Sequence, residues 1–151
     1  MQSTIEHLEK IIRVYLRRME TLSDEAFEFR PRPDKWSRKE ILGHLVDSAQ
    51  NNIRRFIVAQ YEDTPNIFYA QDEWVKCSGY REYPVKDLIA LWSSLNQHLV
   101  IVLKQMGPDA AERLCSMGGA PQTLKWVAAD YCNHLLHHLH QILDIEPLAY
   151  P

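Results

Sequence analysis

The 151-residue sequence contains no run of about 18 apolar residues, the length that a membrane-spanning helix needs. Its first twenty residues, MQSTIEHLEKIIRVYLRRME, are broken by charges where a secretory signal requires an apolar stretch, so a soluble, cytoplasmic protein is expected. A basic cluster is also missing. The net charge of -3 is spread along the chain, which leaves no electrostatic footprint for DNA or RNA. Cysteine is scarce: Cys77, Cys115 and Cys132 form an odd set without a CxxC pair. That excludes a disulfide framework and a cysteine zinc site and leaves three ordinary thiols. Internal repeats, low-complexity tracts and a convincing strand pattern are absent as well. With nearly half its residues apolar, a chain of this size is expected to fold as one domain, residues 1–151, around its own core.

Helical periodicity is what the sequence does have. Ile5, Leu8, Ile12, Tyr15, Leu16 and Met19 fall on one side of a helix over residues 3–22. The PRP stretch at 31–33 bars helix continuation, and Ser37 with Glu40 then forms a capping-box pattern that starts a second helix. Ile41, Leu45, Ala49, Ile53 and Phe56 carry it to residue 61. Residues 62–83 show no sustained period and read as a long connection. Pro84 suits the first turn of a third helix, which Gly107-Pro108 stops after residue 106. Thr123 is a candidate N-cap for a fourth helix reaching residue 144. Four amphipathic helices of this length predict an all-α four-helix bundle. A long second connection can travel back along a helix of about 30 Å, so the expected order is up-down-down-up with a crossover between helices two and three.

Four of the seven histidines lie in NHLLHHLHQI, residues 133–142. At about 100° per residue, His134 and His138 fall at the edge of the fourth helix's buried face, while His137 and His140 point to the far side or the bundle rim. Two imidazoles at i and i+4 can present two nitrogens to one metal ion, and a third ligand must come from elsewhere. His44 lies at the edge of the second helix's buried face, in a polar stripe with Asp47, Ser48, Asn51 and Arg55. Asp47 is placed to accept a hydrogen bond that orients the His44 imidazole, and Asn51 and Arg55 to hold a cofactor carboxylate or a water. Arg55 reads equally as half of a surface ion pair. Asp72 and Glu73 could reach the site from the connection, although a solvated loop accounts for them too. His7 and His98 stand alone and read as surface residues.

The stretch DKWSRKEILGHLVDS (34–48) and the stretch HLLHHLHQI (134–142) together resemble the signatures of the DinB-like, YfiT-like superfamily of metal-binding four-helix bundles. The resemblance implies that His44, His134 and His138 bind a divalent metal, in an up-down-down-up bundle that is often a homodimer. It also implies an activity, since some members are thiol transferases using bacillithiol, glutathione or mycothiol.

Three neutral imidazoles leave zinc or nickel with open positions, where a bound thiol or water loses its proton more readily. The leading expectation is a metal-dependent transferase that activates a low-molecular-weight thiol for attack on an electrophilic small molecule. A hydrolase using a metal-bound water needs the same ligands. A non-catalytic metal-binding or interaction protein, docking through Phe68, Tyr69 and Trp74, is the remaining alternative. Di-iron carboxylate chemistry is excluded because the sequence has no Glu-x-x-His pair, and three converging histidines are the wrong number for haem.

Overall fold

The computed structural model describes residues 1–150. In chain order the elements are α1 (Gln2–Met19), α2 (Asp24–Glu28), α3 (Arg38–Val58), α4 (Gln71–Cys77), α5 (Val85–Gln105), α6 (Pro108–Ala111), β1 (Leu114–Cys115), β2 (Gln122–Thr123) and α7 (Leu124–Leu143). The long helices α1, α3, α5 and α7 lie where the apolar period puts them, and local chemistry sets their ends. Ser37 Oγ accepts from the Glu40 amide at 3.2 Å and Glu40 Oε2 from the Ser37 amide at 2.8 Å, closing the capping box of α3. Thr123 Oγ1 accepts from the Trp126 amide at 3.3 Å and caps α7. The first helix stops earlier than expected, because Ser23 caps α2 in the segment that follows.

α3 packs on α5 and α7, and α1 packs on the same two helices from the opposite side. Side chains at the helix ends give the directions. Lys104, late in α5, meets Glu9, early in α1, at 2.6 Å, so these two helices are antiparallel. Arg38 at the start of α3 reaches Asp144 just past α7 at 3.2 Å, so that pair is antiparallel too. Tyr15 and His140, both late in their helices, touch at 2.7 Å, so α1 and α7 run the same way. Between them lies one continuous core in which Trp92, Phe27, Phe56, Leu42, Leu45 and Leu135 are fully buried.

The connections are more ordered than their sequence suggested. Residues 62–83, read as an unstructured link, contain α4, and residues 114–123 form the short β1–β2 hairpin, with Asn66 bridging to Ser116 beside it. The crossover lies over α3 and buries the polar stripe expected at a helix edge: His44, Asp47, Ser48, Asn51 and Arg55 are each at most 7% exposed. Buried polar groups need partners, and the crossover supplies several. Arg55 donates to the Ile67 carbonyl at 3.1 and 3.0 Å, Arg81 meets Glu40 at 2.8 Å, and the Tyr80 hydroxyl donates to Asp47. Gly43 leaves room for this cover, since a Cβ there would sit 2.2 Å from Tyr80 Cδ2.

Candidate metal centre

Antiparallel packing of α3 on α7 brings His44 opposite His134 and His138. Their ring centroids lie 5.0, 4.8 and 4.7 Å apart in the three pairings, each nearly perpendicular to the next. One ring nitrogen from each falls within 4.8 Å of the other two, and among the described residues this is the one histidine, cysteine or carboxylate cluster of metal-binding shape. His44 is buried, and the other two are half-buried at the mouth. The α3–α7 face that the helical projection assigned to these three residues is therefore where they meet.

Burial sets their protonation. Desolvation, with the neighbouring His138 ring, pushes His44 down to about 3. Desolvation and the adjoining imidazoles push His134 down to about 2, and His138 reaches about 4 even though its bond to Gln141 opposes the shift. All three are neutral at pH 7, the form in which imidazole is a ligand. Their hydrogen bonding is incomplete. His44 Nε2 lies 3.0 Å from His134 Nε2, while His44 Nδ1 is buried with no hydrogen-bond partner among the described residues. Whichever nitrogen carries the single proton of a neutral His44, Nδ1 is left without a partner among the described residues, and when both His44 and His134 carry theirs on Nδ1 two lone pairs face each other across the 3.0 Å gap. A cation between the rings removes that conflict, and two nitrogens at about 2.0–2.1 Å from a tetrahedral zinc are themselves roughly 3.3 Å apart. The residues present fit a divalent ion of the type that imidazole favours.

The surrounding residues depart from expectation. Asp47 makes no hydrogen bond to His44. It is capped by Tyr80, its Oδ2 has no hydrogen-bond partner among the described residues, and desolvation, partly offset by the Tyr80 bond, raises its carboxyl to about 6. Asn51 donates to the Asp47 carbonyl at 2.9 Å within α3. Arg55 forms no ion pair among the described residues: three of its N–H groups go to the crossover carbonyl of Ile67 and to Asn52 Oδ1 at 3.3 Å, and its charge is among those that keep His134 neutral. Glu73 is exposed and pairs with Lys76. Tyr69, expected on a docking face, is half-buried beside Arg55, while Phe68 is exposed. Three neighbours were given no role by the sequence reading, although two of them stand in its motifs: Trp36, whose ring lies 5.0 Å from His44; Tyr150, 5.3 Å from His134; and Gln141, whose Oε1 is 2.8 Å from His138 Nδ1. Gln141 was visible in principle, one turn beyond His138 on the same helix.

A cleft of about 710 Å³ reaches His138 and Gln141. Phe29, Trp36 and Ile41 give it apolar walls, and the positive charges of Arg32, Lys35 and Arg38 are matched by Asp34, Asp72 and Asp144. The volume is that of a small-molecule site.

Three imidazoles converging from two antiparallel helices define a class, the helical bundles with a three-histidine candidate metal centre. Within that class the chain belongs to the DinB superfamily, whose family profile matches residues 7–142. A candidate metal-dependent hydrolase of Halalkalibacterium halodurans is 28% identical over 113 residues, which is 74% of this chain and 66% of that protein. A second, from Oceanobacillus iheyensis, is 26% identical over 110 residues, 72% of this chain and 63% of that protein. The chain thus spans slightly under two thirds of these relatives. The fold is similar to that of YfiT from Bacillus subtilis, described as a candidate metal-dependent hydrolase with an unusual four-helix-bundle topology, at a TM-score of 0.85 and 22% identity over 95% of this chain and 83% of YfiT. It is also similar to that of a mycothiol-dependent maleylpyruvate isomerase, at a TM-score of 0.74 and 14% identity over 98% of this chain and 61% of the isomerase.

Proposed function

We propose that the protein is a metal-dependent enzyme in which His44, His134 and His138 hold one divalent ion, zinc or nickel, and which activates a low-molecular-weight thiol such as bacillithiol or glutathione for attack on an electrophilic small molecule. The observation that carries this reading is the donor set. Three neutral imidazoles, one buried and two half-buried, make a ligand set that leaves a transition metal open to an incoming group, and a cleft reaches one of them. Bound there, the ion acts as a Lewis acid and favours the thiolate over the thiol. The chain's own part is to orient and enclose: Trp36 and Phe29 offer apolar walls to the electrophile, and Lys35 offers charge to a carboxylate of the thiol. The fold shared with a mycothiol-dependent isomerase supports thiol chemistry.

Hydrolysis, with water in the place of the thiol, is the second reading, favoured by the hydrolase names of the curated relatives. One assay separates the two. Metal-loaded protein, incubated with bacillithiol or glutathione and a generic electrophile, is expected to consume free thiol, and a His44→Ala variant is expected not to. No thiol loss with either compound, together with cleavage of simple esters or amides, would replace the first reading with the second.

A further inference from the structure

The two histidines that the helical projection sent away from the cluster are both engaged, and one of them leads back to it. The Leu148 carbonyl can only accept, and His137 Nδ1 lies 2.6 Å from it, so Nδ1 carries the proton. In its neutral form His137 then has a bare Nε2, to which the Gln141 amide nitrogen donates at 3.0 Å. This turns Gln141 Oε1 toward His138, where it accepts from Nδ1 at 2.8 Å. His138, neutral because it is buried, must therefore keep its proton on Nδ1 and its lone pair on Nε2. One backbone carbonyl sets the direction of every bond in the series.

We infer that Gln141 and His137 are positioning residues of the metal centre, which together fix His138 in the tautomer whose Nε2 is free to ligate. The inference rests on the reading of His138 as a ligand. Residues 145–150 hold the origin of the relay in place. His140 Nδ1 donates to the Glu146 carbonyl at 2.6 Å while Tyr15 donates to its Nε2 at 2.7 Å, and Tyr150 donates to Asp130 at 2.9 Å with its ring 5.9 Å from that of His137. A first partner that sets an imidazole's tautomer commonly changes metal affinity by 10–100-fold.

The test uses protein labelled with 15N at histidine, whose tautomers are read in long-range 1H–15N spectra, and a chelator competition for Co2+ or Zn2+. In the metal-free wild type, His138 is expected to be protonated at Nδ1. Gln141→Leu should give a mixed tautomer and an affinity lower by about 10–100-fold. Gln141→Glu, which keeps the acceptor, should restore both readouts, and His137→Phe should fall between them. Gln141 is exposed, so these variants are expected to fold. A Gln141→Leu protein that keeps Nδ1 protonated and binds metal within about twofold of wild type overturns the inference. A wild type that takes up no metal removes the ligand reading instead, while the tautomer readout still decides whether the relay exists.

Discussion

At the scale of single residues, the site depends on side chains whose charge is suppressed by where they sit. His44, His134 and His138 share one consequence of burial, neutrality at pH 7, and each presents a nitrogen to the others. If they hold a metal together, none is dispensable. Purified wild-type protein is expected to retain near-stoichiometric divalent metal after mild dialysis, and His134→Ala to lose it, with affinity reduced by more than the 10–100-fold typical of outer partners. Elemental analysis of both proteins checks this, and equal metal content in the two would remove His134 from the centre. These positions were legible because helical spacing alone decides which side of α3 and α7 they occupy. The role of Asp47 was not: its partner, Tyr80, is 33 residues further on, and only the folded crossover brings the hydroxyl to the carboxylate.

The elements divide along the same line. The long helices could be read from sequence because each buries a face whose 3.6-residue period is written into it, and because Ser37, Glu40 and Thr123 are cap residues by type. The connections could not, because their order comes from contacts across the chain. α4 is only seven residues long, and the two-residue strands of the hairpin carry no pattern of their own. Besides its hydrogen bonds, the crossover is seated on α3 by an aromatic ring laid on a glycine. Placing a methyl group there tests the contact, since a Cβ at Gly43 would meet three Tyr80 ring atoms at 2.2–2.6 Å. Gly43→Ala is expected to destabilise the fold by about 1–3 kcal/mol despite the better helix propensity of alanine, by driving the ring outward. Urea denaturation reads the effect, and an unchanged or raised midpoint would show that the ring is not held there.

For the molecule as a whole, four desolvated groups impose a pH dependence on the metal-free protein. The three histidines take up protons near 6.5 when unfolded but near 4, 3 and 2 when folded, so unfolding binds protons and stability falls as the pH drops below 6.5. Asp47 acts in the opposite sense. Its folded carboxyl protonates near 6 and its unfolded one near 3.8, so between those values the native state gains a proton first. From these four groups the net uptake on unfolding is on the order of two protons between about pH 5.5 and 4, a slope of roughly 2–3 kcal/mol per pH unit. Urea midpoints measured across that range should fall accordingly, and a flat profile would show that the imidazoles are not buried as described.

The separation of the ligands along the chain carries a last consequence. His44 and His134 are 90 residues apart, and the second of them stands on the last long helix. A folding intermediate that contains α1 to α5 alone owns one of the three imidazoles and has no grip on an ion. If the three residues hold an ion as proposed, its capture has to wait until α7 has docked on α3, and the uptake rate during refolding would report that docking rather than collapse. An ion held there would close a loop of about ninety residues, a closure that the unfolded chain enters only at an entropic cost.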